Sequence, residues 1–292
     1  MIDYRKLKNW AFEEVHQTYD QDFTMLYALG LGIGSDPVDE HALRFVNDTM
    51  SGTPLALPTL CTVVGFPGSW MRHPETGIDA LRMVHGEELI EMHAPMPASA
   101  SMVARHRVTR IVDKGPGRGA TVTYEKDLFE SATRLRIATV THTTFCRGDG
   151  GFSATDGVCD VSPPPPRKPP DGPPDKTLDH RTMPQQALIY RLLADRNPLH
   201  SDPGVARAAG FERPILHGLC TYGIAAYALV SSWCSGHPAG LKSLFCRFSA
   251  PVLPGETVRT EMYRCEDGIA FRARVLERDV IALDYGFARI TE

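Results

Sequence analysis

The chain has no apolar run near the roughly 20 residues that a membrane-spanning helix requires, and no membrane partner is expected. Its opening, MIDYRKLKNWAFEEVH, is too polar for a secretory signal, and its last residues, ARITE, do not form a peroxisomal address of the Ser-Lys-Leu kind. It also has no positive excess: 31 Lys and Arg against 35 Asp and Glu leave a formal charge of −4. Nucleic acid is therefore not an expected partner, because phosphate binding rests on clustered cations. Cysteine is sparse and unpaired in spacing, with seven residues and no CxxC. That argues against a disulfide framework or a zinc site and for reduced thiols in a cytoplasmic protein.

Proline, by contrast, is concentrated. Eight of the twelve residues from Pro163 to Pro174 are proline, a polyproline-like connection rather than a strand. At ~3.1 Å per residue it reaches roughly 35–40 Å, enough to cross one face of a domain of about 150 residues. A proline-rich ligand for an SH3-type groove is the sharper alternative. The connection divides the chain into residues 1–160, a linker at 161–176, and residues 177–292.

The two parts follow one order. In the first, Trp10, Phe12 and Val15 read as core contacts of an amphipathic opening. Asp22 precedes a helix, FTMLYALGLGIG, that ends in a glycine-rich turn. From Ala80 the pattern becomes that of strands: alternation through Leu81, Met83, His85, Leu89, Glu91 and His93, then three long runs rich in Val, Ile and Thr. The second part repeats helix and then sheet, an α+β pattern. Leu60-Cys61-Thr62 matches Leu219-Cys220-Thr221, and HAPMPASASM resembles SAPVLPGETV. The chain reads as a duplication.

Chemistry concentrates in one copy. Asp195, Asn197 and His200 stand within six residues, stiffened by Pro198. Five residues is a poor match to one helical face, so an irregular segment should bring acid and imidazole together. Asp202 or Ser201 can cap a helix that Pro203 opens and Gly210 closes. A second, apolar helix begins near His217 and Gly218. Its first amides lack intrahelical partners, and glycine lets a ligand oxygen approach them. The first half has no equivalent of Asp195 and His200.

These residues carry a resemblance. D-x-N-P-L-H, then D-P, then G-F-x-x-P-I-L-H-G-L-C-T resembles the signature of the R-specific enoyl-CoA hydratases called hydratase 2, with the MaoC-like dehydratases. YALGLGIG, HGE at His85, DKG at Asp113 and RGDGG at Arg147 extend it over nearly the whole chain. One departure is Leu193-Ala194 where that family usually has Ser-Gly.

The resemblance implies a tandem hot-dog fold, two long helices each wrapped by an antiparallel sheet. It implies a hydro-lyase interconverting trans-2-enoyl-CoA and (3R)-3-hydroxyacyl-CoA, with acyl-CoA as substrate, no metal and no cofactor of its own. Asp195 and His200 would work on one water, Asn197 would fix the loop or a dyad member, and Gly218 would supply the oxyanion hole. Expected substrate contacts are His85, Gly86, Lys114, Arg196, Pro198, Leu199 and Phe248, and Ala194 and Arg196 could tune substrate preference. Taken alone, Lys114 reads as a turn lysine, Phe248 as a core aromatic, and His93, His106 and His142 as ordinary strand residues. A homodimer is expected. The rival readings are a hot-dog thioesterase and a non-catalytic acyl-CoA-binding module.

Overall fold

The β-branched runs become strands, and in the computed structural model, which describes residues 2–49, 52–154, 157–193 and 195–291, ten strands join one antiparallel sheet. The first half contributes α1 (Tyr4–Lys8), β1 (Val15–Tyr19), α2 (Gln21–Gly30), α3 (Glu40–Leu43), α4 (Leu60–Val63), β2 (Met83–Met92), β3 (Ala100–Asp113), β4 (Ala120–Glu130) and β5 (Arg136–Cys146). The second contributes β6 (Lys176–Arg181), α5 (Gln186–Tyr190), α6 (Pro203–Ala208), α7 (Gly218–Trp233), β7 (Leu241–Phe248), β8 (Thr257–Cys265), β9 (Gly268–Val275) and β10 (Val280–Ile290).

The strand order is β1-β3-β4-β5-β2-β7-β10-β9-β8-β6. Read inward from either edge, each half runs through its first, third, fourth, fifth and second strands. The duplication suggested by the repeated Leu-Cys-Thr thus has a topological counterpart, with β2 and β7 paired antiparallel at the centre. Across this seam Arg247 donates two hydrogen bonds, at 2.6 and 2.9 Å, to one oxygen of Glu87.

The short edge strands β1 and β6 are not evident from the sequence; each is only five or six residues with little apolar content. α2 is capped by Asp20, whose side chain accepts from the Phe23 amide, rather than by Asp22. Leu81 lies outside the sheet and is exposed. The run from 161 to 175 carries no helix or strand and is almost wholly exposed. It is tied at both ends. Asp160 accepts from Tyr4, Lys8 and the Ile111 amide, and Asp175 pairs through its backbone and side chain with the β8 backbone at Met262 and Arg264.

The hot-dog arrangement is complete in the second half. There α7 packs on β6, β7, β8 and β10 with every residue from Cys220 to Val230 buried, as an all-round apolar sequence requires. Gly223 admits the side chain of Leu31, which a Cβ would meet at 2.6 Å, so the end of α2 docks on α7 and the halves share one core.

The expectation of two long helices needs correction in the first half, where the counterpart α4 is a single turn. Gly65 follows it at φ +67°, its Cβ position only 2.5 Å from Ala104 Cβ, and Pro67-Gly68 prevents any continuation. The exposed carbonyls are closed by a buried amine. Lys126 Nζ on β4 donates to Thr62 O at 3.1 Å and Val64 O at 2.7 Å.

Burial pushes the Lys126 ammonium down to about 8. An unfolded lysine titrates near 10.4, so between these values the unfolded chain binds more protons and stability rises with pH. Urea titrations of wild type and Lys126→Met should show wild type gaining about 1–2 kcal/mol relative to the variant from pH 7.5 to 9.5. A pH-independent gap would refute the assignment.

Candidate active site

The D-x-N-P-L-H segment is a tight turn, as its spacing predicts. Asp195 Oδ1 accepts from the Asn197 amide at 2.9 Å, and Asn197 Oδ1 accepts from the Leu199 amide at 3.1 Å. Pro198 to His200 then form one turn of 3-10 helix, which swings the imidazole back over the acid. Asp195 Oδ2 and His200 Nε2 lie 3.9 Å apart, with side chains 46% and 9% exposed. Both are within reach of a single water.

The protonation pattern follows from the partners. His200 Nδ1 lies 2.9 Å from the Ile215 carbonyl, so it must carry the proton, and Nε2 turns a lone pair toward Asp195. Burial lowers the His200 pKa, with the Ile215 bond opposing, which keeps the ring neutral near pH 7. His217 stacks on it at 3.7 Å and donates from Nε2 to the Asp195 carbonyl at 3.0 Å. Burial and the neighbouring His200 push His217 to about 3. Behind it the Tyr190 hydroxyl and His217 Nδ1 are buried with no hydrogen-bond partner among the described residues.

α7 begins directly beside this pair. His217 makes no side-chain cap, and the Gly218 and Leu219 amides have no backbone acceptor among the described residues. A Cβ on Gly218 would stand 3.0 Å from the Phe248 ring. Glycine is needed here for this packing.

Phe248 is part of a wall that crosses the seam. Its ring lies 4.2 Å from that of His85, which lies 3.8 Å from that of His142. Gly86 is the extra residue of a bulge, since His85 pairs with Thr144 and Glu87 with Thr143. The bulge puts His85 and Glu88, three residues apart, on one face. Glu88 is buried at 2% exposure and accepts from His85 Nε2 and His142 Nδ1, each at 3.0 Å. Burial pushes its carboxyl up, but the two histidines outweigh that and hold it at about 2.

The remaining expected contacts are dispersed. Lys114 sits at the β3–β4 hairpin beside Arg118 and Ser162, with no carboxylate partner among the described residues. Asp113, Ala120, Cys146 and Met83 form one row across four strands, so this hairpin shares the sheet end that carries His85. Arg196 and Pro198 are exposed beside the dyad, Leu199 is half-buried, and Ala194 falls outside the described residues. The sequence reading missed Glu88, His142 and His217. The one available signal was Glu88, a charge in the inward register of β2 with Ile90 and Met92. His93 bonds Thr139, and His106 packs half-buried against Phe12 with both ring nitrogens shielded from solvent. A cavity of about 340 Å³ lies at the opposite ends of β2 and β7, lined by Leu55, Met92, Met96 and Leu241 among others, away from the dyad.

Two family descriptions divide the chain between them. Residues 17–148 match the MFE-2 hydratase 2 N-terminal domain, and residues 163–285 match the MaoC like domain. 3-hydroxyacyl-thioester dehydratase Y of Mycobacterium tuberculosis is 38% identical, over 89% of this chain and 87% of that one. The peroxisomal enoyl-CoA hydratase 2 of Arabidopsis thaliana is 36% identical, over 92% and 90%. The crystal structure of a MaoC-like dehydratase from Phytophthora capsici superposes with a TM-score of 0.85 at 30% identity, covering 100% of this chain and 99% of that one. With both domain types present in order on one double hot-dog sheet, the chain belongs to the MaoC-like, hydratase 2 family of hydro-lyases.

Proposed function

We propose that this chain adds water reversibly to a trans-2-enoyl thioester of coenzyme A, giving the (3R)-3-hydroxyacyl thioester. The observation that carries the reading is the dyad itself: two acceptors, Asp195 Oδ2 and His200 Nε2, 3.9 Å apart, stacked through His217 beside helix amides with no backbone acceptor among the described residues. A water between them donates one hydrogen to each and turns its free lone pair to C3. The Gly218 and Leu219 amides receive the thioester oxygen as negative charge develops on it, an arrangement whose donors are typically worth about 10²–10³ each. Neither dyad member starts as an acid. The proton delivered to C2 is therefore the one just taken from water, and it arrives on the face that receives the hydroxyl.

The relatives named as an enoyl-CoA hydratase and a 3-hydroxyacyl-thioester dehydratase support this substrate class. Asn197, bonded to the Leu199 amide, serves as the brace of the loop. The first half acts as a binding domain: it supplies the His85 wall and the Lys114 hairpin but no dyad. Its single-turn α4 leaves space for long or bulky acyl groups. We place the enzyme in the cytoplasm as a homodimer. Seven free thiols support a reducing compartment, and light scattering checks the dimer.

Asp195→Asn and His200→Gln should each lower turnover by at least about 10², with the fold retained by circular dichroism. kcat/KM should fall at acid pH with an apparent value below the ordinary ~6.5 of histidine. Near wild-type turnover in either folded variant removes the dyad assignment. Hydration in D2O should place deuterium on C2 syn to the new hydroxyl, read from proton couplings; anti addition would require a separate acid. Lys114→Ala should raise KM for CoA thioesters, more at low salt, and leave kcat within about two- to threefold because its charge interaction is the same before and during reaction. Pantetheine thioesters lacking the nucleotide should be affected less, and an equal loss on both would show that Lys114 does not read the nucleotide end.

A further inference from the structure

The trio of His85, Glu88 and His142 has no part in the hydration step as derived, yet it holds a carboxylate at 2% exposure. Stability is a weak reason to keep it, since replacing a buried ionic cluster with well-packed apolar residues is often neutral or stabilising. Its geometry gives a more specific reason. A carboxylate oxygen at this low pKa can only accept. Glu88 Oε2 therefore requires a proton on His85 Nε2 and on His142 Nδ1, both 3.0 Å away. A second acceptor, the Glu87 carbonyl, lies 3.2 Å from His85 Nε2. One tautomer of His85 is thus fixed twice, and its Nδ1 keeps a lone pair.

The ring is held as firmly as its proton. His142 packs on it at 3.8 Å and Phe248 at 4.2 Å, and Phe248 in turn packs against Gly218. The His85 acceptor is therefore one ring away from the amides assigned to the thioester oxygen. Two methylenes beyond its sulfur, a coenzyme A thioester carries an amide N–H. We propose that Glu88 and His142 are positioning residues that fix His85 as the hydrogen-bond acceptor for this amide. The proposal rests on the hydration reading for the identity of its ligand.

Two measurements test it. Long-range ¹⁵N–¹H correlations on the wild-type protein should show His85 protonated at Nε2; a proton on Nδ1 overturns the proposal without any variant. The second compares crotonyl thioesters of N-acetylcysteamine, which keeps the amide, and of ethanethiol, which lacks it. Glu88→Leu should raise KM for the first by about five- to tenfold, the worth of one neutral hydrogen bond, with kcat within about twofold. The ethanethiol ester should change by less than about twofold, because it has no such bond to lose. Equal KM changes on both esters would reduce the trio to a structural role and overturn the proposal. If wild type hydrates neither ester nor any of a series of short- to long-chain enoyl-CoA thioesters, the hydration reading fails. Calorimetric binding of the two saturated butanoyl thioesters to wild type and Glu88→Leu then decides the amide contact by the same comparison.

Discussion

The antiparallel pairing of β2 with β7 is the contact on which the rest depends. It fuses two five-stranded halves into one sheet and sets which end of each half faces the other. Because the strands run in opposite directions, the start of β2 meets the end of β7. His85 is thereby delivered to Phe248, and Phe248 to the first residue of α7. A candidate site built from both copies follows from this geometry. Neither half alone contains the wall, the amides and the dyad.

The halves diverged in what they bury. In the second, α7 is apolar on all sides and fills the concave face of its sheet. In the first, glycine and proline end the equivalent helix after one turn, and two charged groups, Lys126 and Glu88, are buried in the same half. Lys126 closes the helix carbonyls, and Glu88 holds two histidines. A charge taken from water is costly unless its hydrogen bonds are supplied. Here the truncated helix itself supplies the carbonyl acceptors for the lysine. Loss of the helix and acquisition of buried charge are thus parts of one change.

The sequence made the dyad legible because its chemistry is local. Asp195, Asn197 and His200 are positioned by two turn bonds and one 3-10 turn, all within six residues. The start of α7 was legible for the same reason, as was the strand content of β2 to β5 and β7 to β10. What could not be read depends on contacts between distant segments. β1 and β6 are strands because β3 and β8 offer them an edge, not because VHQTY or KTLDHR have a strong pattern. His142 read as an ordinary strand residue because its partner lies 54 positions away. Glu88 stands directly opposite His142 across the ladder, and it meets His85 only because a bulge at Gly86 reverses the alternation between His85 and Glu88. The length of α4 was masked by Leu-Cys-Thr, which matches α7 where the two helices agree and ends before they part.

Two histidines anchor the opposite sides of the site, and the acceptors that hold them differ in kind. His200 gives its Nδ1 proton to a neutral carbonyl and faces a half-exposed carboxylate. Its charged form is disfavoured but attainable, which suits the proton transfer proposed for it. His85 gives its Nε2 proton to a buried, fully ionised carboxylate that a second histidine also occupies. Removal from water and the adjacent His142 push His85 down to about 4, against the opposing pull of Glu88. A ring held neutral in this way cannot follow the reaction's proton, but it presents the same lone pair throughout the cycle. Burial of the acceptor is therefore what distinguishes the histidine proposed to react from the histidine proposed to recognise.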